Sequence, residues 1–234
     1  MRVLLIVPAY NEEKSIVSVV SQIIEQGYDY VIINDGSTDS TLDLCKQNNF
    51  NVISLSNNLG IGGAVQTGHT YAFLNGYEVD IQIDGDGQHD ISSLPDLLEE
   101  LEKGADLVIG SRFLGVEPGF KSSFMRRVGI RWLSGLIRLL YGQRITDPTS
   151  GLRASGKKAI EFFSNTYPGD YPEPESIVAL LRRKMIIKEV PVRMKARNEG
   201  KSSINIINSM YYMIKVSLAI LIEAFAGPGK KGVN

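Results

Sequence analysis

Apolar and polar positions follow two different rhythms along the first hundred residues. Short, mainly apolar runs, VLLIV at 3–7, YVIIN at 30–34 and NVISL at 51–55, have the length and β-branched content of strands. Between the first two, Ile16, Val19, Val20, Ile23 and Ile24 recur at helical spacing, and a second helical stretch, TLDLC, follows. A further helix is predicted to open in NLGIGGAVQTG (58–68). Val79, Ile81 and Ile83 then alternate as in a strand, Leu94, Leu97, Leu98 and Leu101 return to helical spacing, and DLVIG (106–110) is another strand. This alternation predicts an open, mostly parallel α/β sheet with helical crossovers, in which ligands sit at the carboxyl ends of the strands.

Beyond residue 118 the rhythm is less regular. A basic helix is predicted around FMRRVGIRWLSGLIRLLYG (124–142), a loop at DPTSGLR (147–153) and a strand at IIKEVPVRMKAR (186–197). The last apolar segment, Met210 to Phe225, is interrupted by Lys215 and Glu223. As a helix it is about 24 Å long, short of the roughly 30 Å hydrocarbon core. Ile206, Ile207, Met210, Ile214, Leu218, Leu221 and Phe225 share one face, as expected of an amphipathic helix lying on a membrane surface, on a partner, or on its own domain.

The chain has 234 residues, 43% of them hydrophobic, which suits one substantial globular domain. The lone cysteine, Cys45, excludes an internal disulfide and a cysteine metal site, and favours a reducing, cytoplasmic setting. The opening MRVLLIVPAYNEE has too short an apolar run for a signal peptide and is expected to be the first strand. A net charge of −1 conceals a division: residues 1–118 carry 18 acidic and 5 basic side chains, residues 119–234 carry 8 and 20. An acidic half suits metal ions, while a basic half suits phosphates, an anionic membrane surface or nucleic acid. Few aromatics stand among residues 119–160, which argues against stacking on single-stranded nucleic acid.

The densest chemistry is IDGDGQHD at 83–90. Carboxylates this close repel unless a cation sits between them. Asp84 and Asp86 at a strand end, with Gln88 on the same parity, are expected to hold a hard divalent cation and, through it, a diphosphate. Asp90 is placed to cap the next helix. GIGGAV resembles a dinucleotide fingerprint, but the third required glycine is Val65. A helix start near Gly60 approaching a phosphate, or simple close packing of helix on strand, are the readings left.

PAYNEE, NDGSTD, NLGIGGAVQTG, DGDGQHD, GSRF and DPTSGLR occur in the order and spacing of family-2 glycosyltransferases of the GT-A fold. The set resembles most the branch of dolichol-phosphate mannose synthases and bacterial polyprenyl-phosphate glycosyltransferases. The resemblance implies a GT-A domain over residues 1–203, with residues 204–234 as a C-terminal amphipathic helix and tail that docks on a membrane surface or partner. It also implies a nucleotide-sugar donor, Mg²⁺ or Mn²⁺, and inversion at the anomeric carbon. Pro8, Tyr10 and Glu12 would line the nucleotide pocket, Asp35 would accept a hydrogen bond from the base, and Asp84 would contact nucleotide or metal. Asp86 and Gln88 would ligate the metal. Arg112, with Arg126 or Arg127, would face the donor diphosphate or an acceptor phosphate, where a planar guanidinium pairs phosphate oxygens well. Arg131, Arg153, Arg197 and Lys201 would draw in a lipid phosphate, and Arg197, Ser202 and Ser203 would lie on a loop that closes over the site.

The acceptor decides whether a base is needed. A phosphate monoester, with a second pKa of about 6, is already ionised at neutral pH. A sugar hydroxyl requires a base, and Asp147, Glu173 and Glu175 are the candidates, Asp147 favoured for the acceptor side as base or as orienting group. The expected function is transfer to polyprenyl phosphate in cell-envelope glycan synthesis, from the inner face of the membrane. Transfer to a hydroxyl of a lipid-linked or surface polysaccharide is the alternative. The branch commonly carries transmembrane helices after the catalytic domain; the chain's short last helix is expected to dock instead on the bilayer or on a small integral-membrane subunit. A sugar-nucleotide pyrophosphorylase would need a glycine-rich basic signature where PAYNEE stands.

Overall fold

The computed structural model describes residues 1–87, 90–115, 124–169, 171–193 and 206–225, for 124–126 and 206–212 the backbone only. In chain order the elements are β1 (Val3–Ala9), α1 (Ile16–Glu25), β2 (Asp29–Asn34), α2 (Thr41–Gln47), β3 (Val52–Ser54), α3 (Gly60–Leu74), β4 (Val79–Gln82), α4 (Leu94–Glu102) and β5 (Leu107–Ser111). There follow α5 (Phe124–Tyr141), β6 (Arg153–Gly156), α6 (Lys157–Asn165), α7 (Pro172–Arg182), β7 (Ile187–Pro191) and α8 (Ile206–Phe225).

The seven strands form one sheet in the order β3-β2-β1-β4-β6-β5-β7. β1 shows why its run is unbroken: Leu5, Val7 and Ala9 enter a core with Ile16, Val19, Val20 and Ile23 of α1. Leu4 and Ile6, on the other face, meet Ala64 and Ala72 of α3. Both faces are covered, so no position on the strand is left for a polar residue. One glycine of α3 serves this packing. A β-carbon at Gly68 would collide with Ile6, so the helix rides close on the sheet. A buried pair, His69 Nδ1 to Asp80 Oδ2 at 2.7 Å, also ties α3 to β4.

Every paired neighbour in the sheet is parallel except β6, which runs antiparallel to both β4 and β5. This strand is absent from the expectation, which treated residues 147–153 as a loop and placed its next strand at 186–197. RASG is four residues long, without the alternation that marks a strand; its place in the sheet comes from pairing on both sides, with Ala154 opposite Ile81 and Val108. An antiparallel strand begins where its parallel neighbours end, so Arg153 stands beside Gln82 and Ile109. The loop before it is thereby delivered to the carboxyl ends of β4 and β5.

Helices α5, α7 and α8 build a further core with β5 and β7, in which Leu133, Ile137, Ile177, Leu180, Val216 and Ile220 are buried. α8 starts four residues before the expected Met210 and still lays one stripe, Val216 and Ile220, into the domain. Of the stripe expected to be its apolar face, Ile214, Leu218 and Phe225 are exposed, with Ile222 beside them, and Leu221 is half-buried; the side chains of residues 206, 207 and 210 lie outside the described residues. Among the described residues no helix is long and apolar enough to cross a membrane.

Candidate active site

A cleft of about 500 Å³ opens at the carboxyl ends of β1, β2 and β4. Pro8, Tyr10, Glu12, Asp35, Gly60, Asp84 and Asp86, drawn from four separate stretches of sequence, all line it. Its walls are braced from within. The Asp35 amide donates to the Ala9 carbonyl (2.9 Å), and Asp35 Oδ1 accepts from the Leu59 amide (2.7 Å), so one buried carboxylate links β2 to the start of α3. Asn11 Oδ1 accepts from the Thr38 amide (2.8 Å), and the Glu12 amide donates to Thr41 Oγ1 (2.8 Å), so the loops after β1 and β2 hold each other. Tyr10, about half exposed, stands at the mouth, where a flat ring can cover a base.

The acidic strand end forms the floor. Asp84 and Asp86, both half-buried, flank the buried Gly85. Among the described residues no group of three or more His, Cys, Asp or Glu side chains is arranged to hold a metal. Two carboxylates are what Mg²⁺ or Mn²⁺ takes from protein when phosphate oxygens and water complete its shell. Gln88 lies outside the described residues, as do Arg197, Lys201, Ser202 and Ser203.

The DPTSGLR loop meets this floor. Gly151 packs so closely on Asp84 that a β-carbon there would lie 2.9 Å from Oδ2 and 3.0 Å from Oδ1. Four residues earlier, Asp147 is fully buried and clasped by Arg112: the Arg112 amide and Nε donate to Oδ2 (3.1 and 2.6 Å), and Nη2 donates to Oδ1 (2.8 Å). Arg112 Nη2 and Thr149 Oγ1 are joined as well (2.9 Å). A carboxylate held at both oxygens by a guanidinium is a good anchor for it.

Arg153 is buried at 4% exposure. It donates to the carbonyls of Ser150 (2.7 Å), Pro148 (3.0 Å) and Glu173 (2.7 Å) and to Ser176 Oγ (2.8 Å), pinning the loop to the first turn of α7. Glu173 on that turn has its carboxyl pushed above the usual range by burial and by the charge of Asp84, against the pull of Arg153 and Arg112. Arg127 is exposed on α5; the side chain of Arg126 lies outside the described residues. Sequence reasoning missed Glu189, which accepts from the amides of Thr146 (2.7 Å) and Asp147 (2.9 Å). The available signal was an acid on the same strand parity as the buried Ile187.

Residues 4–163 match the family described as "Glycosyl transferase family 2". The UDP-N-acetylglucosamine–dolichyl-phosphate N-acetylglucosaminyltransferase of Methanococcus voltae is 32% identical over 210 residues, 81% of this chain and 84% of the relative. The undecaprenyl-phosphate mannosyltransferase of Micrococcus luteus is 31% identical over 218 residues, 88% of each. In fold the chain is similar to the glucosyl-3-phosphoglycerate synthase of Mycobacterium tuberculosis crystallised with Mn²⁺, uridine diphosphate and phosphoglyceric acid. That likeness has a TM-score of 0.69 and 18% identity, and covers 97% of this chain and 80% of that one. The α/β architecture is thus the GT-A fold expected from the motifs. The family match spans β1 to α6 and takes in the cleft, its acidic floor and the loop that packs on it, and the chain belongs to glycosyl transferase family 2.

Proposed function

We propose that the chain moves a sugar from a nucleoside-diphosphate donor to a polyprenyl phosphate, with inversion, in cell-envelope glycan synthesis. The observation that carries this is the contact of Asp84 with Gly151. It joins the acidic cleft, suited to a metal-bound nucleotide diphosphate, to the loop whose Asp147 holds Arg112. The relatives from Methanococcus voltae and Micrococcus luteus, by their names, transfer to dolichyl phosphate and undecaprenyl phosphate.

Asp84 and Asp86, with Gln88, would hold Mg²⁺ or Mn²⁺; their hard oxygen donors fit such an ion. When bound, it neutralises charge on the departing diphosphate. Pro8, Tyr10, Glu12, Asp35 and Gly60 position the nucleotide. The acceptor phosphate oxygen attacks the anomeric carbon from the face opposite the departing nucleotide, whose bond to the sugar breaks. Already ionised, it requires no base. Arg112, with Arg126 or Arg127, supplies positive charge to the phosphates, and Asp147 orients Arg112 rather than taking a proton.

A lipid acceptor calls for a membrane face. At 100° per residue, Val128, Trp132 and Leu139 lie within about 40° of one another on α5, and Arg127, Arg131 and Arg138 form a second stripe roughly 100° away; all six are exposed. Trp132 Nε1 donates to Ser217 Oγ of α8 (3.0 Å), which places this stripe next to the outward face of α8. Apolar side chains rimmed by arginines suit the surface of an anionic bilayer. We place the chain there, peripheral and on the cytoplasmic side, a reducing compartment that suits the free, buried Cys45. A small integral-membrane subunit is the competing occupant of this face.

One observation favours a hydroxyl acceptor. Glu173, on the turn of α7 that Arg153 ties to the DPTSGLR loop, has a carboxyl pushed up chiefly by burial and would serve as the general base. The test is incubation with labelled nucleotide sugars and Mg²⁺ or Mn²⁺, with a short polyprenyl phosphate or an oligosaccharide. Label on the lipid phosphate is the expected result; label on the oligosaccharide alone overturns the acceptor assignment.

A further inference from the structure

The loop carrying Asp147 is held from behind by a residue on the edge strand. Glu189 of β7 receives three donors: the Thr146 amide on Oε2 (2.7 Å), and the Thr146 hydroxyl and Asp147 amide on Oε1 (both 2.9 Å). The Thr146 hydroxyl is also within 2.7 Å of the Ser111 hydroxyl, and Ser111 is the residue before Arg112. Asp147 in turn receives the Arg112 amide, Nε and Nη2. A carboxylate suits this place because both oxygens only accept. An amide at 189 would turn an NH₂ group toward one of these donors.

We propose that Glu189 is a positioning residue, which sets the place of the Arg112 guanidinium against the phosphates of the transfer reaction by fixing the backbone at Thr146 and Asp147. The proposal rests on the transferase reading above. It extends the site to a strand that does not line the cleft and to a residue whose carboxylate acts only through its neighbours. Three charge-assisted hydrogen bonds onto consecutive residues leave that backbone little freedom, and Arg112 is bound to it through both main chain and side chain. A slip of a fraction of an ångström in the loop therefore moves the guanidinium with it.

The test is a double-substitution cycle on the full chain, reading donor turnover and transfer to polyprenyl phosphate, with nucleotide binding by calorimetry alongside. Glu189→Gln is expected to slow transfer roughly tenfold to a hundredfold and to leave nucleotide affinity within about threefold. In an Arg112→Lys background, where the two-point pairing is already lost, adding Glu189→Gln is expected to cost less than about threefold more, because the two act in one line. Equal fold-losses in both backgrounds, or unchanged transfer in the single variant, overturn the proposal. Should Glu189→Gln fail to fold, Thr146→Val takes away one of the three bonds and keeps the side-chain volume. It is expected to slow transfer about fivefold, and wild-type rates there overturn the proposal equally. If the wild type puts no sugar on the lipid phosphate, the acceptor reading fails by itself, and the same cycle read on donor hydrolysis still decides the role of Glu189.

Discussion

Gly151 lies against the carboxylate of Asp84, with room for a hydrogen but not for a methyl group: a β-carbon would stand 2.9 Å from one oxygen and 3.0 Å from the other. Gly151→Ala is therefore expected to displace Asp84 in a chain that still folds, at a cost within the roughly 1–3 kcal/mol of overpacking. Donor turnover should fall tenfold or more, with the concentration of Mn²⁺ needed for half-activity raised. An unchanged metal titration would show that the contact does not shape the site.

Asp86, half-buried at the strand end, contributes little to the core. Asp86→Ala should abolish donor turnover while leaving the melting temperature within a few degrees of wild type. Turnover within a fewfold of wild type, insensitive to chelator, would sink the metal role.

Asp147 is fully buried and Arg112 nearly so, so removing one charge strands the other. Asp147→Asn keeps the shape and should destabilise the fold by about 3 kcal/mol or more, read from denaturant unfolding, together with slower transfer. A variant as stable as wild type that has lost only the acidic limb of its pH–rate profile would return Asp147 to the role of base.

Glu173 carries a pKa raised above 4.5 by burial and by Asp84. The folded chain therefore holds this proton more tightly than the unfolded one. Stability from this group is fully present below the unfolded value and is lost as pH rises through the folded value. Glu173→Gln removes that loss. The variant should be more stable than wild type near neutral pH, and the difference should vanish below about pH 4, where both states are protonated. A difference that grows toward acid would contradict the assigned cause.

Leu218 and Trp132 are more than half exposed on neighbouring helices. Leu218→Asp with Trp132→Ser should leave folding and nucleotide binding intact and weaken sedimentation with anionic liposomes at least tenfold. Sedimentation equal to wild type would assign the face to a protein partner or to no ligand.

Much of the donor side is legible in the sequence because it is built from local rules. Strands covered on both faces must be unbroken apolar runs, as Val3–Val7 and Tyr30–Ile33 are. Parallel strands must release their ligands' contacts at the carboxyl ends, where Tyr10, Asp35, Asp84 and Asp86 follow directly. The acceptor side is not built that way. β6 is four residues without a strand's alternation, held in the sheet by neighbours that lie 71 and 44 residues earlier in register, Gln82 and Ile109 opposite Arg153. Its antiparallel direction alone brings Gly151 to Asp84, and no periodicity encodes a strand's direction.

The basic residues separate along the same line. The chain by itself determines that Arg112, Arg153 and Arg127 belong to a chain with a strongly basic second half or to its border, because charge is a property of composition. Only the tertiary structure decides what each guanidinium meets: Asp147 for Arg112, the carbonyls of residues 148, 150 and 173 for Arg153, and solvent for Arg127. The helix α8 carries the same lesson. Its sequence holds two apolar stripes, and a helical period alone cannot choose between them. Val216 and Ile220 turn inward because α5 and α7 offer an apolar surface there, leaving Ile214, Leu218, Ile222 and Phe225 outside.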